Sequence, residues 1–408
     1  MRFPALILFL VLFAGLGEAL GAPTLSVSTF AELKAALREA RPGTVIEIAP
    51  GVYRGGLYLQ EMHGTAEAPI VIRGADPENP PVFEGTGEGL KLSSCSYIHL
   101  SRLVFQGYLK NGINIDDDGR KGERSPSHHL VLEHLIVRDI GPTGNHDALK
   151  MSGVNHFVVR DCHFEGWGGS AIDLVGCRHG LIEGCRIIGR EGYRTANGIQ
   201  IKGGSRFILV QNSLLRDAGR RAVHIGGQTG VAFFRPEVEG FEARDVGIAG
   251  NTFVGGDAHI AWITAQESHV HHNLFYLPAK SVGRIAQETE DPRFAPSQKG
   301  WFENNLVVTG EEVPTWFHVG PGTAPDTFVF RGNAWIRAGV GIKPVLPVAE
   351  TQGIYDLAVT IEMGEEALPL VRGTDERLRG LGPWSYTPWQ SPGDFSDITL
   401  PPVVFPQP

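Results

Sequence analysis

Apolar and polar residues alternate in short runs along most of the chain: LKLS (90–93), INID (113–116), LKMS (149–152), AIDL (171–174), GIQIK (198–202) and AVHI (222–225). A period of two residues marks a strand with one buried face. Downstream of these runs a tetrad recurs: DCHF (161–164), GCRI (184–187), QNSL (211–214), GNTF (250–253), HNLF (272–275), NNLV (304–307) and GNAW (332–335), with weaker copies at SRLV (101–104) and EHLI (133–136). The second residues of successive tetrads lie 22 to 39 residues apart. A fixed motif at variable spacing points to a repeat whose turns carry insertions.

Each interval holds two or three short strands and little helical periodicity. Such strands, stacked coil upon coil, predict an all-β fold: a single-stranded right-handed parallel β-helix over 22–345. Asn212, Asn251, Asn273, Asn305 and Asn333 would form an inward ladder whose amides satisfy turn backbone. Cys162 and Cys185 fall in the same column on successive coils, either as buried free thiols or as a bridge, while Cys95 and Cys177 share another column three coils apart. A solenoid needs closed ends. STFAELKAALREA (28–40) reads as an amphipathic capping helix, with Thr29 and Glu32 in capping-box spacing. The repeat fades near 346, and the Pro- and aromatic-rich stretch 346–408 reads as an extended covering segment.

Stacked coils turn outward positions into columns. The column through GIQIK is Lys91, Asn114, Lys150, Asp173, Gln200, His224, Trp262, Arg284 and His318, with neighbours about 4.8 Å apart. Lys202 lies two positions beyond Gln200. Three positions before the column lie Asp147, Asn197, Arg221 and His259. Small residues between them (Ala148, Ala171, Gly198, Ala222) leave a shallow polar groove suited to an extended sugar chain, on which Trp262 would stack. Two insertions would wall it: DDDGRKGERSPSHH (116–129) and QTGVAFFRPEVEGFEARD (228–245), the second bringing Arg235. Long loops in a compact solenoid are usually functional. The run Asp116–Asp118 reads as a solvated acidic turn, with calcium as the alternative.

Composition narrows the classes. Gly is abundant (53 residues), charged residues are 20%, and the formal net charge is -9. A nucleic-acid binder would be basic, so an acidic ligand must be held by a local basic groove or a metal. Arg2, the apolar run 3–15 and Ala19-Leu20-Gly21 predict a signal peptide over 1–21 and a secreted or periplasmic protein. No later run is long and apolar enough to span a bilayer.

The opening STFAELKAAL, the following RPGTVIEIAPGVYRG and the Asn ladder resemble the pectin-lyase-like superfamily, nearest the chondroitinase B and alginate lyase group. The resemblance covers roughly 24–335 and implies β-elimination on a uronic-acid polymer, with calcium and a lysine base. Lys202 stands five residues after Asn197, as in the family pattern, but the pattern's two acids are Thr195 and Asn197 here. The arginine's place, one coil on, is held by His224, with Arg221 nearby. Without the acids, Asn197, Gln200 and Arg221 would hold the carboxylate, and His224 or Tyr193 would protonate the leaving oxygen. The catalytic candidates are therefore Lys202, His224, Lys150, Arg221 and Asp173. The substrate-binding candidates are Asp147, Asn197, Gln200, Trp262, Arg235 and Arg284. Three readings stay open beside the lyase: a polygalacturonase-like hydrolase using Asp147 and Asp173, a C5-epimerase, and a non-catalytic sugar-binding solenoid.

Overall fold

The computed structural model describes residues 24–388 apart from 123, 314, 366 and 367. The expected signal segment 1–21 and the tail beyond 388 lie outside the described residues. Three parallel sheets run the length of a coiled chain, two of 12 strands and one of 10. Successive coils contribute one strand to each sheet, so neighbouring strands in a sheet come from successive coils, as in Ser170–Val175 beside Asn197–Lys202. The helix Phe30–Glu39 covers the first coil and buries Leu33, Ala36 and Leu37. Its capping box is formed by Thr29 and Glu32.

Inward residues stack on their counterparts one coil away. Tyr53, Phe83 and Phe105 form one column, with ring centroids 5.3 and 5.1 Å apart. Burying such side chains, each worth roughly 1.5–3 kcal/mol, is the main force holding coil to coil.

The asparagine ladder occupies the turn between the first and third sheets. The Asn251 side chain accepts from the Ser213 backbone at 2.9 Å and donates to Val210, Ala249 and Asn273. Asn273 and Asn305 repeat the pattern above it. At the top Glu350 replaces the next rung, accepting from both the backbone and side-chain nitrogens of Asn333. Cys162, Cys185 and Ser213 continue the column downward, and all four cysteines are free and buried. Asn212 is not a rung. It sits at φ 49 in the left-handed turn position that His272 and Asn304 also take, which asparagine tolerates. The rung there is Ser213, because Leu214 pairs with Thr252.

Candidate active site

The 10-stranded sheet presents the outward column. Pairing runs Asn114 to Lys150, Lys150 to Asp173, Asp173 to Gln200 and Gln200 to His224. The next partner is Ala261, followed by Arg284 and His318. Trp262 is thus one position off the column. It points into the core, 1% exposed, with its indole N–H on Ser268 Oγ at 2.6 Å. The stretch AHIAWI is apolar on both faces, so alternation cannot set its register. The same slip puts His259 inside, where it is buried on the Gly255 carbonyl. Trp262 therefore offers no stacking surface.

Lys150 and Lys202 meet over one buried carboxylate. Lys150 Nζ lies 2.8 Å from Asp173 Oδ2 and 3.3 Å from Asp147 Oδ2. Lys202 Nζ lies 3.0 Å from Asp173 Oδ1 and donates to Gln200 Oε1 at 3.1 Å. Asp147 is fixed from behind, its Oδ1 accepting from the Ser170 amide at 2.7 Å. The backbone comes that close only beside a glycine: a Cβ at Gly169 would stand 2.4 Å from the same oxygen. Asn197 donates to Gln200 Oε1 at 3.3 Å and to Ser170 Oγ at 3.4 Å. Gln200 Nε2 meets His224 Nδ1 at 3.2 Å. Arg221 and Arg284 share Glu288, each at 3.5 Å.

Depth separates these groups. Lys150, Gln200, Lys202, Arg221 and Arg284 are partly exposed. Asp147, Asp173, Asn197 and His224 are buried, which corrects the expectation that they line the groove surface. Their neighbours' long side chains lie over them. Burial pushes Asp147 up to about 6, aided by the charge of Asp173 and opposed by Lys150. Burial also raises Asp173, but Lys202 and Lys150 outweigh it, leaving that carboxyl below its ordinary value. For Lys150, burial is overcome by Asp173 and Asp147, which hold the ammonium. His224 is kept neutral by burial and by the cations Arg221 and Lys202.

Two further candidates have structural partners. Arg235 grips the buried Asp117 with two nitrogens, at 2.7 and 3.1 Å. Lys121 donates to the Ala232 carbonyl. The two inserted loops are therefore clasped to each other, and Arg235 braces that wall instead of facing a ligand. Tyr193 donates to Asp139 at 3.2 Å, at the end of a strand of the third sheet, away from the floor. Glu288 went unnoticed in the sequence, because it lies beyond its strand where no column reaches.

Calcium does not fit this floor. The ion takes six to eight oxygens at 2.3–2.6 Å, and here both carboxylates already hold ammonium groups. In the acidic turn, Asp116 accepts from Ser93 and pairs with Lys91, Asp117 holds Arg235, and Asp118 holds Arg120. Among the described residues, metal-ligand spacing is found at Glu133, His134 and Asp161, outside the 10-stranded sheet.

Residues 88–275 match the family model for the right-handed β-helix region. A pectate lyase structure, Pel9A, aligns at 12% identity and TM-score 0.51, covering 78% of this chain and 80% of that one. An alginate lyase from Paenibacillus sp. str. FPU-7 aligns at 20% identity and TM-score 0.48, covering 82% and 99%. An α-1,3-glucanase catalytic unit from Streptomyces thermodiastaticus aligns at 15% identity and TM-score 0.47, covering 83% and 69%. At 12% identity the likeness to the pectate lyase speaks to the fold alone. A comparison with curated sequences gave no match.

Proposed function

We propose that this right-handed parallel β-helix, which resembles the pectin-lyase-like superfamily, is a secreted carbohydrate-active enzyme that cleaves a uronic-acid polymer by β-elimination on the 10-stranded sheet. The fold alone does not choose among activities. The supporting observation is the layering of the floor: the amines of Lys150 and Lys202 reach the surface with Asp147 and Asp173 beneath them, and the guanidinium groups of Arg221 and Arg284 reach it beside a partly exposed Glu288. In a protein of net charge -9, that is a local cationic track for an anionic chain.

β-Elimination needs the uronate charge offset, so that the C5 proton becomes removable. Lys150, held as an ammonium by two carboxylates, suits that task, with Arg221 and Arg284 further along. Lys202 contacts one carboxylate and one amide, and is the base of this reading. As the free amine it takes the C5 proton, the electron pair forms the C4–C5 double bond, the C4–O bond breaks, and the leaving oxygen takes a proton from water.

One observation favours a hydrolase as the second reading. The facing oxygens of Asp147 and Asp173 both touch the Lys150 ammonium. That makes the two carboxyls close neighbours, as a glycosidase pair must be. Their carboxyls are also pushed in opposite directions, a pattern of acid and base pairs. Neither, however, reaches the surface.

The test is to incubate the protein with alginate, polygalacturonate, glucuronan and chondroitin sulfate, following both the absorbance of unsaturated uronate and new reducing ends. Elimination gives both signals. Reducing ends without the absorbance would replace the lyase with the hydrolase.

A further inference from the structure

We propose that Gln200 is a positioning residue that fixes His224 as its Nε2–H tautomer, a hydrogen-bond donor and not a base. The inference rests on the lyase reading for its purpose but not for its geometry. It begins with Lys202, which in the resting protein is paired with Asp173 as an ammonium and can only donate. The Gln200 atom 3.1 Å from it must therefore be the oxygen, and Asn197 Nδ2 donates to the same oxygen at 3.3 Å. The amide cannot flip without setting its NH₂ against two donors. Its nitrogen then faces His224 Nδ1 at 3.2 Å and donates to it. An imidazole that accepts at Nδ1 and is neutral carries its proton on Nε2.

Burial and the cations Arg221 and Lys202 keep the ring uncharged. Space for the amide is left by Gly227, where a Cβ would come within 3.1 Å of Gln200 Nε2. Each bond in the chain Lys202–Gln200–His224 thus has one permitted direction. The far end is unspent: among the described residues, His224 Nε2 is buried without a hydrogen-bond partner. A buried N–H left unmet is destabilising. Once the side chains above it move aside for a ligand, such a donor suits an oxygen that gains negative charge, such as the uronate carboxylate as its C5 proton leaves. Glutamine at this position is therefore specified by direction: glutamate would accept where Gln200 donates.

Nitrogen-15 spectra of the full chain labelled at histidine test this directly, with the His224 ring assigned by its contact with the Gln200 amide. At neutral pH the expected signature is a protonated Nε2 and an unprotonated Nδ1. In Gln200→Glu the carboxylate should draw a proton to Nδ1, moving that nitrogen to the protonated position, and should lower kcat on the cleaved polymer about 10–100-fold with KM within about threefold. A protonated Nδ1 in the unmodified protein, or an Nδ1 unmoved by Gln200→Glu, would overturn the relay. The wild-type spectrum needs no variant to fold. It also stands apart from activity: the Nε2–H signature in a protein that eliminates nothing would uphold the relay while sinking the lyase reading.

Discussion

Two buried polar stacks run along the same coils, and they are built to opposite standards. In the asparagine ladder, Asn251 and Asn273 donate to backbone and side-chain acceptors, and each oxygen accepts from the rung below. On the 10-stranded sheet, Asn197 Oδ1 and His224 Nε2 are buried without partners among the described residues, and two lysines share one aspartate. Buried polar groups are nearly always satisfied, so exceptions call for a reason. The ladder spends its hydrogen bonds on stability; the floor, on the function proposed above, keeps some for a ligand.

That contrast can be broken from either side. Lys202→Ala should reduce elimination by about 10²–10⁴-fold, the range for loss of a general base. Its urea midpoint should fall modestly, because Asp173 loses the ammonium on Oδ1 and retains Lys150 on Oδ2. A variant with full activity would remove the base. Asn273→Ala should do the reverse. It strips acceptors from the Asn251 backbone and side-chain nitrogens, costing about 2–4 kcal/mol of unfolding free energy with kcat unchanged. Equal stability in that variant would mean the ladder is ornamental.

A smaller effect lies in pH. An aspartate in the unfolded chain titrates near ~4, whereas Asp147 is pushed up to about 6 by burial and by Asp173. Between those values the fold holds a proton that the unfolded chain has released, so stability falls as pH rises through that window and levels off above it. Asp173, held below its ordinary value, acts oppositely. Its contribution is present above ~4 and lost as pH falls through its folded value. Asp147→Asn should flatten the decline from about 4 to about 6 in urea midpoints, and an unchanged slope would assign it elsewhere. Smallest of all, Arg284→Ala should raise KM about threefold to tenfold with kcat preserved, since its guanidinium is partly exposed on a loose contact to Glu288. A drop in kcat instead would give Arg284 a part in the chemistry.

The strand register from Lys91 to His224 was legible because LKL, INI, LKM, AID, GIQI and AVHI each mark their own inward face. Ser213 was missed because QNSL places an asparagine one residue early, in a turn position that any left-handed-tolerant residue can fill. Depth was not legible. Whether Asp173 and His224 meet solvent depends on how Lys150, Lys202 and Arg221 lie over them, which no period encodes. The Asp117–Arg235 clasp joins loops 118 residues apart and is likewise silent in either segment. Glu350, which ends the ladder, belongs to a stretch where the repeat has already faded.

The most direct measurement is the mass of oligosaccharides released from the polymer the protein cleaves. Elimination predicts that every fragment generated at a cut carries an unsaturated ring at its new non-reducing end and lacks the water that hydrolysis adds, and that Lys202→Ala releases almost none. Saturated fragments carrying that water, released equally by the variant, would contradict it.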